Sequence, residues 1–229
     1  MKTVTVLLKE IEDADSAPKL ADAVKELAAV GVATRDYSVV PHLVQALGYN
    51  NPGAAVAAVD GLIAIGEPAV VPLLALLDGY NYSARAWGLR ALSGIGDPRA
   101  LLLLLDTAQN DFALSVRRAA ARGLGTIRWE LMDEDEVPAA QAAVLDVLLG
   151  TLGDEEWVVR YSGISGVERL MMQVRSGETR MYAIDRLSEV AAQDEDLTVR
   201  ARASLAIDRA RVGYGSFVGV KIPDPPNPP

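Results

Sequence analysis

Residues 48–70, GYNNPGAAVAAVDGLIAIGEPAV, return about thirty residues later as GYNYSARAWGLRALSGIGDPRA at 79–100. Asn51 aligns with Asn81, Leu62 with Leu92, Gly66 with Gly96 and Pro68 with Pro98, each at an offset of 30. A short unit repeated in this way cannot bury its own apolar face, so the copies must stack on one another. A second marker, Asp followed by four residues and Val-Arg, recurs as DFALSVR (Asp111 to Arg117), DEEWVVR (Asp154 to Arg160) and DEDLTVR (Asp194 to Arg200). Arg85 holds the same place in the second copy. The units are thus anchored near residues 55, 85, 117, 160 and 200, with later spacings of 32, 43 and 40. The longer spacings match HEAT-type helical repeats.

Within a unit the period is helical. Val116, Ala119, Ala120, Leu124 and Ile127 fall three and four apart, which makes one apolar face. The leucine-rich stretch from Leu101 to Leu105 supplies a helix to lie against it. Gly66-Glu67-Pro68 and Gly96-Asp97-Pro98 end one helix and begin the next, because Gly suits a left-handed C-terminal position and Pro a first turn. The fold expected is all-α: a right-handed α-solenoid of about five HEAT-like repeats over residues 1–212. A single N-terminal helix from about Val4 to Val30 is expected to cap it. Residues 213–229 hold GYGSFVGVKIPDPPNPP and are expected to form an extended or disordered Gly/Pro-rich tail. The recurring Asp is expected to cap the second helix of its unit. Arg117, Arg160 and Arg200 are expected to reach a neighbouring carboxylate, in a structural ladder.

Composition excludes several chemistries. With 22 Lys and Arg against 31 Asp and Glu, the net charge of −9 leaves no basic footprint for nucleic acid. No cysteine and a single histidine, His42, leave nothing for thiolate catalysis, a Ser-His-Asp triad or a multi-His metal site, and no metal is expected. No stretch is long and apolar enough for membrane insertion, and the opening MKTVTVLLKEIED does not read as a signal peptide. A cytoplasmic protein is expected.

The second helix of each pair lines the concave, binding face of such arrays. Aligned by the repeat, one outward position carries Asp60, Arg90, Arg122 and Ser165; one turn earlier stand Val56, Ala86, Arg118 and Tyr161. Arg90, Arg118 and Arg122 therefore gather near the middle, flanked by Asp60 and Tyr161. In so acidic a chain this cluster suits an anionic ligand or an acidic partner. A solvated charged face paired to carboxylates is the simpler explanation from periodicity alone. Tyr49, Tyr80 and Tyr82 fall where the two helices of a unit join, at the rim of the groove, although Asn, Pro and Gly there are ordinary turn residues. Trp87 sits at a core-facing register, Trp129 in an inter-repeat connection, and Trp157 just before a helix. The acidic run Asp133 to Glu136 reads as a solvated loop, and His42, after Pro41, as a surface or capping residue. The residues alone define a helical-repeat binding module.

Four stretches carry a more specific likeness: LGYNNPGAAVAAVDGLIAIGEPAV, LDGYNYSARAWGLRALSGIGDPRAL, NDFALSVRRAAARGLG and DEEWVVRYSGI. Together they resemble the E/F-type phycobilin lyases of cyanobacteria, on the side of the smaller, F-type subunits. The resemblance covers residues 40–170 most clearly. It implies a heterodimer with a larger, E-type (alpha) subunit. The pair would take phycocyanobilin as substrate, with no cofactor, and join it to a cysteine of the apo-phycocyanin α-subunit as a thioether. Under that implication Arg90, Arg118 and Arg122 bind the bilin, its propionates in particular, and Tyr80 and Tyr82 pack on its rings. Asp60 accepts from its pyrrole N–H groups, and Tyr161 joins Asp60 at the reacting centre. A related subunit that also isomerises the bilin carries a His-Cys motif, so this cysteine-free chain is expected to attach without isomerisation. The alternative is a non-catalytic HEAT-like chaperone of phycobiliproteins, or a protein that detaches bilin during phycobilisome degradation.

Overall fold

The computed structural model describes residues 2–77 and 82–218, and among them the chain is helical throughout, with no strand. A hairpin of α1 (Val4–Glu12) and α2 (Ala17–Thr34) opens the stack. Five pairs follow: α3 (Val40–Ala46) with α4 (Pro52–Ile65), α5 (Val70–Leu77) with α6 (Tyr82–Ile95), α7 (Leu101–Asn110) with α8 (Leu114–Leu124), α9 (Val137–Gly150) with α10 (Trp157–Met171), and α11 (Gly177–Gln193) with α12 (Leu197–Val218). The five units match the sequence anchors, but the single capping helix expected over Val4 to Val30 is two helices. Pro18 explains the break: it lies in the first turn of α2, and inside a continuous helix its ring would clash with a preceding carbonyl.

The second helices, α2, α4, α6, α8, α10 and α12, pack in that order directly on one another. The first-layer helices pack on one another less extensively, and in stacked helical-repeat arrays of this kind the second layer lines the concave surface. Between the layers runs one continuous apolar core, with Leu27, Leu62, Leu92, Leu124, Leu148 and Leu187 fully or almost fully buried. Each such side chain contributes roughly 1.5–3 kcal/mol relative to exposure.

The signals read from the repeat do the work expected of them. Asn51 caps α4 by accepting from Ala54 N at 3.1 Å, and its amide donates to Ala17 O at 2.8 Å, tying the start of α4 to the start of α2. Gly66 and Gly96 close α4 and α6 at φ +76° and +71°, values that favour glycine. A Cβ on Gly96 would also stand 2.4 Å from Thr126 O.

The Asp and Arg markers build the ladder. Arg85 pairs with Asp111 at 2.6 Å, while Arg117 grips Asp154 (2.8 and 3.0 Å) and Arg160 grips Asp194 (2.8 and 3.0 Å), both with two parallel bonds. Arg117, Arg160 and Arg200 also donate to the main-chain carbonyl of their own unit's Asp; Arg200, in the last pair, reaches no carboxylate of a further unit among the described residues, against the expectation. The Asp is not itself the N-cap residue: Asp111, Asp154 and Asp194 each accept from the N–H two residues on, fixing the turn that leads into the helix. Burial pushes the Asp154 and Asp194 carboxyls up, but the arginine and backbone bonds outweigh it and hold both below the usual carboxylate range.

At the far end, α12 continues to Val218, past Gly213 where extended chain was expected. Isolated glycines cost a helix only about 1 kcal/mol each and do not stop it without a proline, the first of which is Pro223. The remaining tail, 219–229, lies outside the described residues.

Candidate functional site

Residues four apart on a helix stand one above the other on one face. On α8 that stripe is Leu114, Arg118 and Arg122, all exposed, while Val116, Ala120, Ala121 and Leu124 between them are buried. On α10 it is Trp157, Tyr161, Ser165 and Arg169; apart from Val158, the rest of that helix is buried. Val56 and Asp60 on α4 and Arg90 on α6 are exposed at the matching registers. The structure thus brings Asp60, Arg90, Arg118, Arg122 and Tyr161 onto one concave face, as the repeat alignment predicted. Tyr82 is the first residue of α6, and Tyr80 lies outside the described residues.

Two arginine populations separate. The ladder arginines are enclosed by carboxylates and carbonyls, with side chains 19% exposed or less at Arg85, Arg117 and Arg160. Arg90, Arg118 and Arg122 make no ion pair among the described residues. Carboxylate pairing therefore does not account for these three, which stand exposed on the face. Arg90 lies 5.4 Å from the ring centroid of Trp87, which is half-buried against the core. Its guanidinium is thereby positioned while its donors stay available.

Tyr161 sits on a support that the sequence did not reveal. Arg202 of α12 lies 5.7 Å from its ring centroid, donates to Ser165 Oγ at 3.1 Å and pairs with the buried Glu168. Glu168 also receives Arg209 at 3.2 Å. The aromatic ring is therefore held between its own helix and the next unit. Arg169, one turn beyond Ser165 and exposed, extends the basic face by one repeat. The i+4 step from Ser165 would have found it.

The groove is an open face. A cavity of about 660 Å³ lies elsewhere, between the α8–α9 connection and the start of α11, lined by Trp129, Met132, Val137, Gln141, Val174 and Thr179 among others. None of the aligned groove residues borders it. Nearby, Asp133 to Glu136 are exposed, as a solvated loop should be. His42 is half-buried on α3, away from the face. No helix among the described residues is long and apolar enough to cross a membrane.

Comparison with known proteins agrees with the fold. Residues 70–168 match the family model for HEAT repeats. The chain is 56% identical over 169 residues to "Phycocyanin alpha phycocyanobilin lyase CpcF" of Synechocystis sp., covering 74% of this chain and 77% of that protein. It is 44% identical over 210 residues to "Phycocyanobilin lyase subunit beta" of Thermosynechococcus vestitus, covering 91% and 97%. Among solved structures, the complex of CpcE and CpcF of phycocyanin lyase from Nostoc sp. matches with a TM-score of 0.69 and 43% identity over 74% of this chain and 98% of that one. Designed armadillo repeat proteins align at 14% identity with a TM-score of 0.58, a likeness of fold alone. With 44% to 56% identity over most of both chains and the same helical-repeat fold beneath it, this chain belongs to the phycocyanobilin lyase subunit beta family.

Proposed function

We propose that this chain is the F-type subunit of a heterodimeric lyase, which joins phycocyanobilin to a cysteine of the phycocyanin α-subunit with an E-type partner. The observation that carries the reading is the set of arginines, Arg90, Arg118 and Arg122, without carboxylate partners among the described residues on the concave face of a chain of net charge −9. Phycocyanobilin is a dicarboxylate, and guanidinium forks match carboxylates bidentately. The reaction is an addition. The acceptor thiol sulfur bonds to the ethylidene carbon, and its proton ends on the ring carbon across the former double bond. Nothing is oxidised, reduced or expelled, so no cofactor and no nucleophile from this chain is needed.

The roles assigned to this chain are binding and orientation. Asp60, exposed beside the basic cluster, accepts from the pyrrole N–H groups and favours the protonated, more electrophilic tetrapyrrole. Tyr161 packs on a ring face, held by Arg202. Tyr80 and Tyr82 are assigned to the same packing, Tyr80 lying outside the described residues. Holding bilin and thiol in one orientation accelerates the addition by proximity, and an open groove admits the acceptor protein's cysteine. The lack of cysteine supports attachment without isomerisation. The likeness to a relative described as "Phycobilisome maturation protein", of Synechococcus elongatus, supports a cytoplasmic site of action.

The test is bilin transfer to the apo-phycocyanin α-subunit by the E-type partner, with and without this chain, followed by adduct mass and visible absorbance. A single cysteine should acquire phycocyanobilin only when this chain is present, and Asp60→Asn with Arg90→Gln should cut the rate about tenfold or more. An unchanged yield without the chain overturns the reading. Binding of holo-phycocyanin in that case would make it a chaperone.

A further inference from the structure

The groove stripes contain one more row than the charged cluster uses. One turn before Arg118 stands Leu114, 40% exposed; one turn before Tyr161 stands Trp157, 44% exposed; and Leu197 opens α12, 71% exposed. All three are the first residues of their helices, at the edge where the Asp–Arg ladder runs. Across α8 the order is Leu114, Arg118, Arg122; across α10 it is Trp157, Tyr161, Ser165, Arg169. The concave face is therefore divided lengthwise, apolar along the edge where the helices begin and basic one to three turns in. At 1.5 Å per residue, rows four apart are about 6 Å apart, so Leu114 and Arg122 stand about 12 Å apart along the axis. Neighbouring helices add a lateral step of roughly 8–10 Å.

Three exposed large apolar side chains in one row are not needed to build the stack, since the core beneath is already closed by Val116, Val159 and Val199. Their regular placement beside arginines that make no ion pair among the described residues is the pattern of a ligand with an apolar body and anionic arms on one edge. The bilin that the proposed function assigns has that form. Its propionates leave the two central rings, and its methyl, ethyl and ethylidene groups decorate the outer ones.

Resting on that reading, we infer that the groove holds phycocyanobilin across its width. The propionates lie on Arg90 and Arg122, and the conjugated rings rest over Tyr161 against Leu114 and Trp157. Leu114 and Trp157 are then bilin-binding residues of this chain. The division of the face decides which edge of the tetrapyrrole is turned toward the arginines. The opposite edge, with no charge to satisfy, faces the rim.

The experiment titrates phycocyanobilin and its dimethyl ester, which keeps the rings and loses both carboxylates, into the complex of this chain with its E-type partner. Binding is read by visible absorbance. The free acid should bind about tenfold or more tightly than the ester, the ratio expected of a charge-assisted pair. Arg90→Gln with Arg122→Gln should erase that ratio by weakening only the acid. Trp157→Gln with Leu114→Gln should weaken both compounds by the same factor and leave the ratio intact, and Trp157→Phe should restore binding. Unchanged melting temperatures exclude misfolding as the cause, and single substitutions replace any pair that melts early. The inference is overturned if the arginine changes weaken acid and ester alike, or if the apolar changes leave both affinities untouched. If neither compound binds while transfer still depends on this chain, the inference falls and the lyase reading stands. If transfer does not depend on the chain either, both fall.

Discussion

Arg160 and Arg118 are each near the start of a second-layer helix, and their surroundings give them opposite consequences. Arg160 is 7% exposed and donates to both carboxylate oxygens of Asp194 and to the carbonyls of Asp154 and Glu155. Removing it strands the Asp194 carboxylate, itself 7% exposed, in a site that water barely reaches. Breaking a buried pair from one side costs about 3–5 kcal/mol. Arg160→Met should therefore lower the urea midpoint by the equivalent of about 3 kcal/mol with an unchanged m-value. Arg118 is exposed and makes no ion pair among the described residues, so Arg118→Ala should leave the midpoint where it is. The same substitution should slow bilin transfer. A stability loss at Arg118 matching that at Arg160 would show that the two arginines do one job, and would remove the distinction between ladder and groove.

At the scale of the element, spacing between second-layer helices is set by small residues. A Cβ on Gly166 of α10 would stand 2.6 Å from Ala121 O of α8, and Gly125 meets the same glycine, its own Cβ falling 2.7 Å from Gly166 Cα. The carbonyl belongs to a helix backbone and cannot swing aside, so the helices must separate. Gly166→Ala should cost about 1–3 kcal/mol, the usual penalty for overpacking. It should also reduce bilin transfer, because the Arg118 and Tyr161 stripes move apart. Gly150, at the end of α9 with helical angles and nothing within 4 Å, is the control: Gly150→Ala should raise stability by about 0.5 kcal/mol in the same thermal melts. These junctions also explain what the sequence allowed to be read. Asn51, Gly66, Gly96 and the Asp–Arg markers recur because each unit needs the same turn and the same bridge, so the five pairs and the Arg90–Arg118–Arg122 face followed from alignment. The break at Asp13 to Ser16 and the run of α12 to Val218 belong to the ends of the stack, where no second copy exists to compare. Arg202 was invisible for a related reason. Its partner Glu168 lies 34 residues away in the preceding unit, and neither residue type recurs at that position in the other units.

Across the whole molecule, the ladder makes the stack a single acid-sensitive object. Burial pushes the Asp154 and Asp194 carboxyls up, but the arginine and backbone bonds overcome it and hold both below the ordinary carboxylate range. Asp97 lies below it too, chiefly through its bond to Arg99, against burial. A depressed folded-state value means that the stabilisation is complete above the unfolded value. It is lost as the pH falls through the lower folded one. Urea midpoints should therefore be level from about pH 7 to about 5 and fall steeply below about pH 4. Asp154 and Asp194 each bridge two units, while Asp97 fixes the turn after α6 through Arg99, so protonating them weakens two junctions and a turn of one solenoid together. Asp154→Asn leaves Arg117 without its charged partner. It should be less stable at neutral pH and show a shallower acid limb. A midpoint that stays level down to about pH 3, or an acid limb unchanged by Asp154→Asn, would mean that the ladder contributes nothing to the pH response. The groove depends on the same junctions, since the ladder holds α8, α10 and α12 at the spacing that sets the lateral distance between the Arg118, Tyr161 and Leu197 stripes. Bilin affinity should accordingly begin to fall with the urea midpoint as the pH is lowered, before global unfolding.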